Sequence, residues 1–346
     1  MPVPAASPAP RLARRGVLGA ALGGLALAAA GCVQGEGSSG TAPAAAGSSS
    51  AAAAGSVRLD YALYNPLSLV VWQQKTLENA GLTVQWEQSA GSNKANEFLR
   101  NDNLDIASTA GSAVLQARAN GSPVKSIAVY SQPEWTALVV GRGSAITDVA
   151  ALRGKKIAAT TGTDPYFFLQ QALAQAGVAA TDVEILNLQH ADGRAALERG
   201  DVDAWAGLDP NMAGSQLQAG STLLYRNVDF NTYGMLNARE EFLESSPELA
   251  QQVVDAYAQA RTWALANSAD FAALYAEAAQ LSPEVAALVL ERTRLDGDLA
   301  PGEAQRTVLA GIIPLMVQIG GASSEDVVQE ALDGLLEPRF AAASDA

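Results

Sequence analysis

The sequence predicts an α/β protein of two lobes with a cleft between them and a C-terminal set of helices wrapped on the first lobe. Three observations carry this. Short apolar strands alternate with helical stretches from Val57 to Tyr225, the pattern of a mostly parallel sheet covered on both faces. The alternation runs twice, with turns near Gly141-Arg142-Gly143 and from Val228 to Tyr233 as joints. After Asn237 only helical spacing remains. Residues 57–141 and 234–346 are therefore expected in the first lobe and 142–233 in the second.

In the first lobe, Val57 to Leu63 alternates and ends at Tyr64-Asn65-Pro66, a strand running into a turn. Leu67 to Ala80 places Leu69, Val70 and Leu77 at helical spacing and stops at Gly81. Leu82 to Glu87 is a strand, Ser92 to Asn101 a helix, Leu104 to Ser108 a buried strand, and Ala113 to Ala119 a helix closed by Asn120-Gly121. Ser126 to Tyr130 and Trp135 to Val140 are two more strands. The second lobe repeats the plan with strands at Lys156 to Thr160, Val183 to Leu188, Val202 to Gly207 and Leu223 to Tyr225. Helices at Pro165 to Ala176, Ala191 to Arg199 and Pro210 to Ala219 lie between them. Glu248 to Ala266, Ala269 to Ala279, Pro283 to Arg292, Pro301 to Ile319 and Glu325 to Leu336 complete the chain as helices.

Composition narrows the chemistry. The chain has 346 residues, 49% hydrophobic and 17% charged, enough for one or two domains with real cores. A formal net charge of -14 argues against a nucleic-acid surface, which needs concentrated Lys and Arg. One Cys precludes an intramolecular disulfide and one His precludes a multi-His metal site, so no metal or cofactor is expected.

The amino-terminal segment reads as an export signal. Arg11, Arg14 and Arg15 precede an apolar run from Gly16 to Ala30, and Ala29-Ala30-Gly31 leads into Cys32 in the manner of a lipobox. Arg14-Arg15 also fits a twin-arginine signal. The run is shorter than the ~20 residues of a membrane span. The expectation is a signal peptide over 1–31, lipidation at Cys32, and a Gly/Ser/Ala tether over 32–56. The body would then sit outside the cytoplasmic membrane, in the periplasm or on the outer membrane face, held to lipid only by that anchor.

Candidate ligand contacts cluster at strand-to-helix turns. Ligands of open α/β sheets lie beyond the carboxyl ends of the strands. There, Thr161-Gly162-Thr163 is a polar turn before Asp164-Pro165, with Pro at the first helical position and Tyr166 next. Thr109, Gly111 and Ser112 form a matching turn in the first lobe, and Ser89, Gly91 and Asn93 a third. Small hydroxyls, glycine and the open N–H groups of a helix start favour an anion. Each turn alone is equally well explained as capping; the coincidence in both lobes carries the functional reading. Tyr64 and Asn65 follow the first strand, while Trp135 and Tyr233 lie near the joints. His190 and Asp192 follow a strand of the second lobe; His190 is expected to cap or line the pocket, since no nucleophile motif accompanies it. Trp205 is expected in the pocket wall, with packing in the core as the alternative, and Asp209, beside Pro210, as a helix cap close to it. No Walker-type loop or nucleotide fingerprint is present.

Several stretches carry a resemblance: Ser89-Ala90-Gly91, Leu104-Asp105-Ile106-Ala107-Ser108-Thr109, Leu152-Arg153-Gly154-Lys155-Lys156-Ile157-Ala158, Ala191-Asp192-Gly193-Arg194-Ala195-Ala196-Leu197 and Gly200-Asp201-Val202-Asp203-Ala204-Trp205-Ala206. With them, Val57 to Phe340 resembles the solute-binding proteins of ABC importers for aliphatic sulfonates, nitrate and taurine. The resemblance implies a bilobed periplasmic-binding-protein (venus-flytrap) fold and a monomer that is not an enzyme. It further implies capture of a small organic anion, an aliphatic sulfonate first, and delivery to a permease and its ATPase. The alternatives are taurine, nitrate or a pyrimidine- or amine-type compound, and, further off, an enzyme on the same fold. The chain departs from the family at Leu208-Asp209-Pro210-Asn211, where the family carries a Trp-Asp-Pro-Tyr run. It departs again at Asp164, which adds a carboxylate beside the expected anion.

Overall fold

The computed structural model describes residues 55–344. The expected signal over 1–31, Cys32 and all but the end of the 32–56 tether lie outside the described residues.

The first sheet is built from β1 (Ser56–Tyr61), β2 (Thr83–Gln88), β3 (Ile106–Ala110), β4 (Val124–Pro133), β10 (Gly234–Arg239) and β11 (Thr293–Arg294). The second contains β5 (Thr136–Val140), β6 (Lys156–Ala159), β7 (Glu184–Asn187), β8 (Ala204–Leu208) and β9 (Thr222–Tyr225). Their orders are β2-β1-β3-β10-β4-β11 and β7-β6-β8-β5-β9. In each sheet three strands run parallel and the fourth in order is antiparallel to its neighbours. That fourth strand is exchanged between the sheets: β5 follows β4 out of the first sheet, and β10 follows β9 out of the second.

The exchange corrects two expectations. Thr136–Val140, read with the first lobe, pairs with β8 and β9 in the second sheet, so the outward crossing lies at Glu134-Trp135 rather than at Gly141. Gly234–Arg239, around Asn237, to which the sequence reading assigns no strand, is a buried strand of the first sheet. Its polar residue, Asn237, is what hid it. The Asn237 amide donates to Thr109 Oγ1 at 2.8 Å and accepts from Ser126 Oγ at 2.6 Å, so a buried polar side chain is satisfied inside the sheet.

Helices cover both sheets. In the first unit these are α1 (Pro66–Gln73), α2 (Thr76–Asn79), α3 (Ser92–Arg100) and α4 (Gly111–Ala119). The second has α5 (Asp164–Gln175), α6 (His190–Arg199) and α7 (Asn211–Gly214), the last continuing into a π-turn at Ser215–Ala219. The carboxyl-terminal set is α8 (Glu240–Ser245), α9 (Pro247–Ala266), α10 (Ser268–Ala278), α11 (Pro283–Glu291), α12 (Glu303–Gly311), α13 (Ile313–Gln318), α14 (Glu325–Leu335) and α15 (Arg339–Ser344). Two expected single helices are broken. Lys75 enters the left-handed region at φ 52° and divides Leu67 to Ala80. Pro314 lacks the N–H that would bond back one turn, and Pro301 to Ile319 divides just before it.

The cores follow the sheets. Val57, Leu59, Ile106, Ile127, Leu236 and Tyr257 pack on one side of the first sheet, with α9 laid over them. Leu138, Ile157, Phe168, Leu173 and Ala206 fill one side of the second. Among the described residues no helix is long and apolar enough to cross a membrane.

Candidate functional site

Four helix starts, those of α3, α4, α5 and α6, line the junction of the two units. Asp164 is the first residue of α5, and its carboxylate reaches the first turn of α4, where Ser112 Oγ donates to Oδ1 at 2.6 Å. Gly162, just before α5, lies against Asn93 in the first turn of α3. His190, the first residue of α6, lies against Gly91 at the start of α3. Each start brings N–H groups without an intrahelical acceptor and the positive end of a helix dipole. Together they make a buried seam that favours negative charge.

Asp164 supplies charge of that sign. Its side chain, 1% exposed, takes four donors: Ser112 Oγ and Thr232 Oγ1 on Oδ1, each at 2.6 Å, and Trp135 Nε1 and the Thr232 N–H on Oδ2, each at 2.9 Å. Thr232 Oγ1 in turn accepts from the Ser112 N–H at 3.0 Å. Burial pushes the Asp164 carboxyl up, against the downward pull of Ser112, Thr232 and Trp135. The carboxylate therefore ties α5 to α4 and to both chain crossings, since Trp135 lies on the outward one and Thr232 on the return.

The other end of the seam is sparsely bonded. His190 is 2% exposed, and burial lowers it to about 3, so the ring is neutral. Thr160 Oγ1 donates to Leu188 O at 2.7 Å and lies 3.2 Å from His190 Nδ1. A hydroxyl has one proton, so Nδ1 carries the ring's proton and donates to Thr160 Oγ1. That leaves Nε2 as an acceptor, and it has no partner. Asn93 Oδ1 is unpartnered too. A Cβ on Gly91 would stand 3.0 Å from His190 Nε2 and 2.8 Å from Asn93 Oδ1, so glycine is what lets the two helix starts approach.

Other expected contacts serve the framework. Trp205, expected in a pocket wall, is fully buried in the core of the second sheet against Gly193 of α6. Strand β8 is buried on both faces, so its Trp faces protein on either side. Asn65 caps α1 by accepting from the Ser68 N–H, and Tyr64 donates to Ser108 O at 2.9 Å while packing edge-on against Trp135. Thr109 is buried in β3, bonded to Ala110 O and Asn237. Gly111 packs beneath Leu309, Met235 and Thr232. Ser89 is buried at the end of β2. Asp209 accepts from the Ala213 N–H at 2.8 Å and pairs with buried Arg292 at 3.1 Å. Thr161 N–H donates to Asn187 Oδ1, and Thr163 Oγ1 donates to Thr160 O at 2.6 Å. Asp192 is exposed on α6. Tyr166 lines an outer groove of 540 Å³ between α5 and α13, and Tyr233 lines a cavity of 80 Å³ beside Tyr130 and Gln305. Thr232 and Arg292 were not singled out, because a lone Thr in a joint and a lone Arg after a helix carry no motif.

Among the described residues no group of three His, Cys, Asp or Glu side chains is placed to hold a metal ion.

Two α/β units with an exchanged strand and a polar seam define a protein of the periplasmic-binding-protein fold. The SsuA alkanesulfonate-binding protein of Xanthomonas axonopodis pv. citri, solved with MOPS, superposes with a TM-score of 0.73 at 24% identity over 80% of this chain and 97% of that one. SsuA of Escherichia coli superposes at 0.70 and 24% identity, over 82% and 92%. The desulfurization enzyme DszB shares the fold at 0.62 and 16% identity, over 84% and 98%. Residues 76–270 match the NMT1/THI5-like family model, and the chain belongs to that family. It is also 30% identical to aliphatic sulfonates-binding proteins of Escherichia coli K12 and Bacillus subtilis 168, over 60% and 64% of this chain. It spans about two thirds of their length, 66% and 68%.

Proposed function

We propose that the chain is the solute-binding component of an ABC importer and captures a small organic anion, an aliphatic sulfonate first, in the seam between its two units. One observation carries the reading: four helix starts line one buried seam, where the positive ends of their dipoles favour an anionic head. The sulfonates-binding relatives support the same ligand class. Ser112, Gly91, Asn93, Gly162, Thr163 and His190 are the residues assigned to the ligand, and the two α/β units, parted at the crossings by Glu134-Trp135 and Thr232, act as jaws. The open form admits the ligand by separation at the two crossings, and the closed form is what the permease and its ATPase read.

The same reading makes the mature chain an exported monomer, lipidated at Cys32 and tethered outside the cytoplasmic membrane. It assigns no catalysis: the one His faces Thr160 Oγ1 through Nδ1, and that hydroxyl gives its proton to Leu188 O, so the ring does not act on it as a base. Calorimetric titration with a panel of alkanesulfonates, taurine, nitrate and sulfate tests the ligand class, and turnover of any bound compound would reassign the chain to enzymes. A second reading, an amine-bearing metabolite, is favoured by one observation, the buried Asp164 carboxylate. Mass spectrometry of ligand released from natively purified protein separates the two.

A further inference from the structure

The sulfonate head accounts for the helix starts but leaves His190 unexplained. This ring is held by Thr160, is nine-tenths buried, and turns an unpartnered Nε2 lone pair toward the first turn of α3. A buried acceptor without a donor costs free energy that a correct ligand removes. An anionic head cannot do this, because it has acceptors only. Asn93 Oδ1, also unpartnered, adds one more acceptor along the seam.

We infer that His190 is a specificity-determining residue and that the ligand is a short organic acid bearing a hydrogen-bond donor, a hydroxyl or an ammonium, which it presents to His190 Nε2. This rests on the anion-binding reading above and narrows it: the acid group takes the helix starts, and the donor separates the preferred ligand from a plain alkanesulfonate. The discrimination follows from the site, since a ligand without the donor leaves Nε2 buried and unpaired in the closed form.

The test compares ethanesulfonate with 2-hydroxyethanesulfonate and 2-aminoethanesulfonate by calorimetry. At least one donor-bearing compound is expected to bind about tenfold or more tightly than ethanesulfonate, the factor that one hydrogen bond of ordinary strength supplies. His190→Phe should abolish the preference, and His190→Gln, which retains an acceptor, should keep part of it. Equal affinities for the three compounds in the wild type would overturn the inference and leave the anion-binding reading standing. Failure of all three to bind would overturn both.

A readout independent of any variant comes from the chain's having a single His. In protein made without a histidine tag, ¹⁵N-histidine labelling yields one imidazole, expected as the Nδ1–H tautomer. Its Nε2 resonance should move with the donor-bearing ligand far more than with ethanesulfonate. An imidazolium or an Nε2–H tautomer in the complex would overturn the assignment, because either form donates where this account needs an acceptor.

Discussion

Asp164 Oδ1 and Ser112 Oγ meet at 2.6 Å across the seam, joining the first residue of α5 to the first turn of α4. The contact is more than a cap on its own helix. Asp164 takes its donors from α4 and from both crossings, so the same carboxylate holds the units together and stands where an anion's charge would be favoured.

Removing that charge should help a foreign anion. Asp164→Asn keeps the shape and an acceptor for Trp135 Nε1 and the Thr232 N–H, and the two hydroxyls can rotate to accept from its amide. A like charge a few ångströms away in a partly screened site is worth on the order of 1–4 kcal/mol. Affinity for ethanesulfonate is expected to rise about tenfold or more in calorimetry. Unchanged or weaker binding would show that the carboxylate does not compete with the ligand.

Gly91→Ala tests closure. The backbone there is extended, φ 175°, so any residue is tolerated locally, but its Cβ would press on His190 Nε2 and Asn93 Oδ1. Overpacking of this kind costs about 1–3 kcal/mol. The variant should keep the wild-type unfolding midpoint without ligand, bind sulfonate about tenfold more weakly, and show a larger radius of gyration by small-angle scattering in the presence of ligand.

Asp60 gives stability a pH signature. It is fully buried in β1, accepts from the Ser108 N–H at 2.8 Å and from Ser108 Oγ, and is raised by burial to about 7. The native state therefore keeps a proton that the unfolded chain has lost above about pH 4. Its contribution to stability is greatest below pH 4, falls as pH rises toward 7, and levels off beyond, a total of about 4 kcal/mol. Denaturant unfolding at pH 4.5, 6 and 8 should show Asp60→Asn gaining on the wild type as pH increases; a constant difference would contradict this.

Asp209 and Arg292 form a buried pair that fastens α11 to the turn before α7. Asp209→Ala strands the guanidinium and should destabilise by about 3–5 kcal/mol in chemical unfolding. The double variant Asp209→Ala with Arg292→Met should recover part of that loss, since no charge is then left unpaired.

The strand-helix alternation was legible because strands such as β3, β5 and β8 are short runs of mainly apolar and β-branched residues closed by Gly111, Gly141 and Asp209-Pro210. The exchange of β5 and β10 was not, because which sheet a strand joins depends on partners far along the chain, and Asn237 masked β10 as non-strand. At the site, the turns at Gly91, Ser112 and Gly162 declared themselves by small polar residues, and these three do lie along one seam. The cap role of Asp209 was legible beside Pro210, but the distant partners of Asp164, Trp205 and Asp209 were not. Each has its partners, Ser112 with Thr232, Gly193, and Arg292, on another element, and local spacing records nothing about them.

The most direct measurement is calorimetric titration of the purified chain, freed of bound ligand, with ethanesulfonate and its hydroxyl- and amino-bearing analogues. The account predicts saturable one-to-one binding that is weakened by Ser112→Ala and strengthened by Asp164→Asn. Absence of binding by every sulfonate, in a protein that circular dichroism shows to be folded, would contradict it.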